Sequence, residues 1–208
     1  MACTLDEGDT LISAAITHEG DDIILATRDG MAIRFVEDNV RAMGRAARGV
    51  TGIRFEGDDK VVGMTVIAKP KEGEQSPEEL SLLTVCENGF GKRTRVSEYR
   101  PQNRGGKGLI DIQTEGRNGP VIEAITVTEQ SGLMLITSGG KIIRTSAKNI
   151  SLIGRNTRGV KLMDLDENEK VVAVAPAPLD TNGENGHAAP DGGPEGGTPP
   201  AAGGDAVN

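Results

Sequence analysis

The chain has 208 residues and carries 23 Lys and Arg against 31 Asp and Glu, with no Trp, one Tyr and three Phe. Its 29 glycines exclude a mainly helical protein, and its core must be built from Val, Ile, Leu, Met and Ala. Two cysteines, Cys3 and Cys86, and two isolated histidines, His18 and His187, exclude a disulfide framework and a Cys/His zinc site.

The first apolar run in chain order is Thr10–Leu11–Ile12, read as a short strand. Asp22–Thr27 and Met31–Phe35 are β-prone runs on either side of Asp29–Gly30, the pattern of a hairpin with a type I′ turn. Lys60–Val61–Val62 opens another strand, and Lys69–Glu79 is a polar loop. Leu82–Cys86 and the run from Phe90 then flank Asn88–Gly89 as a second hairpin. Pro120–Val121–Ile122 opens the next strand. Leu133–Thr137 and Lys141–Arg144 flank Gly139–Gly140 as a third hairpin, and Lys170–Val171–Val172 opens a last strand. From Asp180 to Asn208 there are eight Gly, four Pro, five acidic residues and no Lys or Arg, so residues 180–208 are expected to be a disordered acidic tail. All the basic residues therefore lie in residues 1–179, where the net charge is −3 against −8 for the whole chain.

Laid out on the turn glycines Gly30, Gly89 and Gly140, the three hairpins reveal an internal repeat with no gap inside the unit. Four residues on stand Arg34, Arg93 and Arg144, and ten on stand Val40, Tyr99 and Ile150. Fifteen on stand Arg45, Arg104 and Arg155; eighteen on, Arg48, Lys107 and Arg158; nineteen on, Gly49, Gly108 and Gly159. The fold expected is all-β: propeller-like blades of about four antiparallel strands, over residues 8–60, 61–120 and 121–178, forming part of a disc.

The segment after each hairpin carries the chemistry. It reads Arg41-Ala42-Met43-Gly44-Arg45-Ala46-Ala47-Arg48-Gly49, then Arg100-Pro101-Gln102-Asn103-Arg104-Gly105-Gly106-Lys107-Gly108, then Ile153-Gly154-Arg155-Asn156-Thr157-Arg158-Gly159. Two cations three residues apart beside a glycine suit successive phosphates, because the backbone can also approach closely. A single such loop is as well explained by solvated rim charge; three copies at one repeat position favour an anionic polymer. Aromatic residues to stack single-stranded bases are nearly absent, so the expected partner is duplex DNA bound through its backbone with little sequence preference. Candidate DNA-binding residues are Arg41, Arg45, Arg48, Arg100, Arg104, Lys107, Arg155 and Arg158, on loops; replacing the pairs Arg45 and Arg48, Arg104 and Lys107, or Arg155 and Arg158 is expected to spare the fold.

Gln102-Asn103-Arg104-Gly105-Gly106-Lys107-Gly108 resembles the box heptapeptide of the DNA gyrase A family, departing from it at Asn103, where the box has a second arginine. Val40-Arg41-Ala42-Met43-Gly44, Asn88-Gly89-Phe90-Gly91-Lys92-Arg93-Thr94 and Gly154-Arg155-Asn156-Thr157-Arg158-Gly159-Val160 are similar to segments of the same family. The resemblance covers about residues 8–178. It implies a β-pinwheel, of which these are the last three blades, that binds and wraps duplex DNA for ATP-dependent negative supercoiling. The box-like heptapeptide then falls outside the first blade, where the family's box lies, so DNA contact alone is carried over to Arg104 and Lys107. The resemblance places ATP and Mg outside this chain, on other domains or on gyrase B, and implies the rest of gyrase A and gyrase B as partners. No catalytic residue or metal site is expected here. Tyr99 occupies an apolar repeat position, so a DNA-cleaving role is not assigned to it. The chain is expected to be cytoplasmic and chromosome-associated, with no membrane segment, since no apolar run approaches spanning length and Asp6, Glu7 and Asp9 interrupt any leader. The box-like motif favours gyrase over topoisomerase IV. Salt-dependent affinity for duplex DNA would separate either from a propeller-type protein-interaction module.

Overall fold

The computed structural model describes residues 3–70 and 79–178. The expected tail and most of the Lys69–Glu79 loop lie outside the described residues. Eleven strands form three antiparallel sheets. The first hairpin is β1 (Asp22–Thr27) and β2 (Met31–Val36), followed by β3 (Val61–Ile67). The second is β4 (Ser81–Cys86) and β5 (Phe90–Arg95), followed by the short β6 (Leu109–Ile110) and by β7 (Val121–Val127). The third is β8 (Gly132–Thr137) and β9 (Ile142–Ser146), followed by β10 (Val160–Lys161) and β11 (Val171–Ala177). The only helices among the described residues are three single 3-10 turns, Glu37–Asn39, Val96–Glu98 and Ala147–Asn149, at one position of the repeat.

Sheet order corrects one expectation. The sheets run β3-β1-β2-β6, β10-β5-β4-β7 and β11-β8-β9. Each hairpin and the long strand after it (β3, β7 or β11) thus supply three strands of one sheet, and in the first two sheets a fourth is lent by the segment after the next hairpin: β6 pairs with β2, and β10 with β5. The Thr10–Leu11–Ile12 run is not a strand, and Leu11 and Ile12 are exposed. The turns also differ from type I′. At each one only the glycine is left-handed (Gly30 at 88°, Gly89 at 78°, Gly140 at 81°), and its N–H donates to the carbonyl three residues back at 3.0–3.1 Å. This is a type I turn closed by a left-handed glycine, so Asp29 and Asn88 need no positive φ.

The core lies between the sheets. Ile24, Ala26, Ala32 and Ile67 of the first sheet meet Leu82 and Ala124 of the second, with Val96 and Tyr99. Leu83 and Val85, on the opposite face of β4, meet Leu133, Leu135, Ala147, Ile150 and Val171. The middle sheet is covered on both faces, so all of β4 is buried, whereas β1 and β8 are buried only in part.

Repeated polar contacts tie the units together. Arg34 Nη1 donates to the carbonyls of Val96 (3.2 Å) and Tyr99 (3.3 Å), and Arg93 Nε donates to that of Ile150 (2.9 Å). Arg144 instead donates to the Pro178 carbonyl. Unit two adds a buried ionic cluster. Lys92 Nζ lies 3.2 Å from Asp111 Oδ1 and donates to the carbonyls of Asp111 (2.8 Å) and Gly154 (3.0 Å). Tyr99 Oη and Thr84 Oγ1 donate to the Asp111 carboxylate at 2.5 and 2.6 Å. Burial holds the Lys92 pKa below its ordinary value, opposed by the Asp111 charge, and raises that of Tyr99.

Candidate nucleic-acid interface

The three cation-bearing segments are joined side by side into one strip. Gly105 N–H donates to the Gly52 carbonyl and Asn156 N–H to the Asp111 carbonyl, both at 2.7 Å. In return Arg54 N–H reaches the Gly106 carbonyl and Gln113 N–H the Thr157 carbonyl, both at 2.9 Å. These are the same two bonds at the same repeat positions, so the register of each segment on the next is fixed by backbone geometry. Because β6 and β10 are edge strands of their sheets, at the opposite end from β3 and β7, the strip runs along the outer rim. Loops held at the rim of a rigid sheet scaffold are well placed for binding.

The candidate cations fall into three groups. Arg41, Arg45, Arg100 and Arg158 are exposed, and their guanidinium groups have no partner among the described residues. Arg48 and Lys107 are exposed but ion-paired, Arg48 to Asp6 at 2.9 Å and Lys107 to Glu56. The Lys107 ammonium lowers the Glu56 pKa, and screened pairs of this kind are easily exchanged for another anion. Arg104 and Arg155 are pinned. Arg104 Nε donates to the Asn39 carbonyl at 2.9 Å, Nη1 to the Thr51 carbonyl, and its backbone N–H to Asn39 Oδ1 at 3.2 Å. Arg155 Nη1 donates to the Ile110 carbonyl at 3.2 Å, and its N–H to Glu98 Oε2 at 3.3 Å. Its guanidinium also lies over the Tyr99 ring, 5.9 Å from the centroid. Thr51 and Ile110 are equivalent in the repeat, as are Asn39 and Glu98, so the two arginines make one contact twice. Arg104 and Arg155 therefore do not stand clear of the fold as exposed loop side chains would.

Within the box-like heptapeptide, Gly105 and Gly108 are left-handed, both at φ 78°. A Cβ on Gly108 would lie 2.5 Å from the Ala32 carbonyl oxygen, so this glycine lets β6 close on β2. Gln102 N–H donates to the Arg34 carbonyl at 2.8 Å, and Asn103 is exposed. Much of the heptapeptide therefore joins units, and its exposed cation is Lys107.

Sequence reasoning missed the Lys92–Asp111 pair and the joining roles of Arg34 and Arg93. The repeat of arginine four residues after each turn was the visible signal for the latter.

The sequence matches the family described as DNA gyrase C-terminal domain, beta-propeller, over residues 21–68, 81–128 and 133–178, one stretch for each hairpin and its inner strand. The chain belongs to this DNA gyrase C-terminal domain family. It is 45% identical over 174 residues to the DNA gyrase A protein of Haloquadratum walsbyi, covering 84% of this chain and 20% of the relative. The same protein of Salmonella typhimurium is 42% identical, covering 84% and 19%. The chain thus spans about a fifth of the length of these curated relatives. Among solved structures, a DNA gyrase A C-terminal domain superposes with a TM-score of 0.74 at 29% identity, covering 84% of this chain and 57% of that one. The C-terminal domain of a DNA topoisomerase IV superposes at 0.75 with 20% identity, covering 84% and 52%, and shares the fold.

Proposed function

We propose that this chain is the DNA-binding and wrapping part of a DNA gyrase A protein, supporting ATP-dependent negative supercoiling by the whole enzyme. The observation that carries the reading is the strip itself: three Arg/Lys segments registered edge to edge along the rim of a gyrase C-terminal fold. Arg41, Arg45, Arg100 and Arg158 are the free cations that neutralise phosphates. Arg48 and Lys107 join them by exchanging a carboxylate for a phosphate. Arg104 and Arg155 chiefly hold neighbouring segments in register. Contacts of this kind release counterions, and the free energy gained offsets the elastic cost of bending the duplex, on the order of 1–6 kcal/mol for a short site. Base edges are not read, so sequence preference is weak. ATP, Mg and DNA cleavage belong to the rest of gyrase A and to gyrase B, the partners this reading requires. The test is duplex binding by the chain and by the variant Arg41→Ala/Arg45→Ala/Arg100→Ala/Arg158→Ala. Weaker binding and a flatter salt dependence on every sequence support the reading. Unchanged binding overturns it in favour of a protein-interaction surface.

A further inference from the structure

The arginine four residues after each hairpin turn meets different surroundings in each unit. In unit one, Arg34 Nε (2.9 Å) and Nη2 donate to Asp22 Oδ2, and Nη1 donates to the Val96 and Tyr99 carbonyls. The residue equivalent to Asp22, eight before the turn glycine, is Ser81 in unit two and Gly132 in unit three. Arg144 of unit three turns to the Pro178 carbonyl. Arg93 of unit two keeps the place of Arg34 but has no aspartate at the equivalent position.

Arg93 is 3% exposed, and its Nε is taken by the Ile150 carbonyl at 2.9 Å. Its Nη1 is buried with no hydrogen-bond partner among the described residues. Its ion partner is Glu129, whose carboxylate stands 4.0 Å from Nη2, too far for a hydrogen bond, on a side chain that is 68% exposed. A buried guanidinium in this state is completed by an oxyanion, because it is always charged and presents its N–H groups in a fixed planar fork. There is room for one. A cavity of about 310 Å³ lies at the joint of units two and three, lined by Ser81, Arg93 and Arg95 from unit two and by Glu129, Gln130 and Leu152 from unit three. Ser81 is shorter than an aspartate and uncharged, so it leaves space beside the guanidinium where unit one has a carboxylate.

We propose that this cavity binds a small organic carboxylate, held through two parallel hydrogen bonds from Nη1 and Nη2 of Arg93. The class follows from the repeat, since unit one satisfies the same arginine with a carboxylate of its own. Binding displaces Glu129, whose exposed pairing is weak. A second carboxylate on a short aliphatic spacer meets Arg95, whose exposed pair with Glu79 is exchanged as readily, and Leu152 meets the spacer. Short dicarboxylates therefore fit best. The phosphates of a duplex lying on the rim do not reach a guanidinium that is 3% exposed, so the site is separate from the strip. Because two units wall the cavity, its occupant braces their joint.

The test is isothermal titration calorimetry of the full chain with succinate, with succinamide as the uncharged control. Wild type is expected to bind a single succinate with a Kd on the order of 1 mM, and no succinamide. Ser81→Asp supplies the carboxylate that unit one has and is expected to abolish succinate binding, with an unchanged far-UV circular dichroism spectrum. Glu129→Gln removes the competing carboxylate and is expected to bind succinate about threefold tighter, a readout that stands even where Ser81→Asp fails to fold. The variant Arg41→Ala/Arg45→Ala/Arg100→Ala/Arg158→Ala is expected to bind succinate as wild type does, since its changes lie on the strip. No saturable succinate binding by wild type, equal binding of succinamide or inorganic phosphate, undiminished binding by a folded Ser81→Asp variant, affinity not raised by Glu129→Gln, or binding lost with the strip arginines would each overturn the proposal.

Discussion

Replacing Arg104 by Ala separates cations that hold the strip together from cations that face solvent. Arg104 makes two side-chain hydrogen bonds to unit one, at the Asn39 and Thr51 carbonyls, and it is half-buried. A charged hydrogen bond contributes about 1.5–3 kcal/mol when fully buried, and solvent access on this rim reduces the pair to a total of about 2 kcal/mol. For a domain of this size that loss lowers Tm by about 4–8 °C. Arg100→Ala, four residues away on the same segment, removes an exposed side chain with no partner among the described residues and costs under about 0.5 kcal/mol. The duplex titration runs the other way. Arg100→Ala leaves one phosphate no longer neutralised, which flattens the plot of log affinity against log salt by about 0.9, equivalent to about 3.5-fold in the affinity ratio between 50 and 200 mM salt. Scanning calorimetry and fluorescence anisotropy on both variants read the two effects. Equal Tm for the two variants would refute the pinned geometry of Arg104.

Three further outcomes follow from the packing. Asp111→Leu leaves the Lys92 ammonium buried without its carboxylate and is expected to cost about 3–5 kcal/mol, whereas adding Lys92→Ile recovers most of the loss, because unit three fills the same two positions with Ile143 and Leu162; urea melts of the single and double variants measure it. Gly108→Ala is expected to destabilise well beyond Gly49→Ala, since both glycines are left-handed but only Gly108 faces a carbonyl oxygen, at 2.5 Å; paired thermal melts decide this. Burial pushes the Cys86 pKa up from 9.0 to about 12, so the folded state keeps the thiol neutral while the unfolded state ionises, and stability is expected to fall as pH climbs through that window. A Cys86→Ala variant that loses stability just as steeply between pH 9 and 12 would assign the effect to another group.

The hairpins were legible because each joins two β-prone runs through a turn glycine, and these signals are local. The repeat was legible because six positions recur without a gap, and its charged segment pointed to the rim where the structure places it. Strand exchange was not legible: β6 pairs with β2 across some 78 residues, and nothing in the local pattern of Leu109–Ile110 tells which hairpin it will join. The division of the arginines was hidden for the same reason. Arg45, Arg104 and Arg155 are one repeat position with one local context, yet among the described residues only the latter two reach carbonyls of a neighbouring unit. The Lys92–Asp111 pair also escaped, because unit two alone replaces an apolar contact of the repeat with an ionic one. The Tyr99 ring fills the apolar repeat position its alignment with Val40 and Ile150 implies, but its hydroxyl is spent on Asp111.

The most direct test of the central claim is a titration of the whole chain with two duplexes of equal length and unrelated sequence across a series of salt concentrations. Binding through the phosphate backbone predicts the same affinity for both and a log–log slope between about −4, for the four free arginines, and about −7, if every candidate cation meets a phosphate. A shallow slope, or binding confined to one of the two sequences, would contradict it.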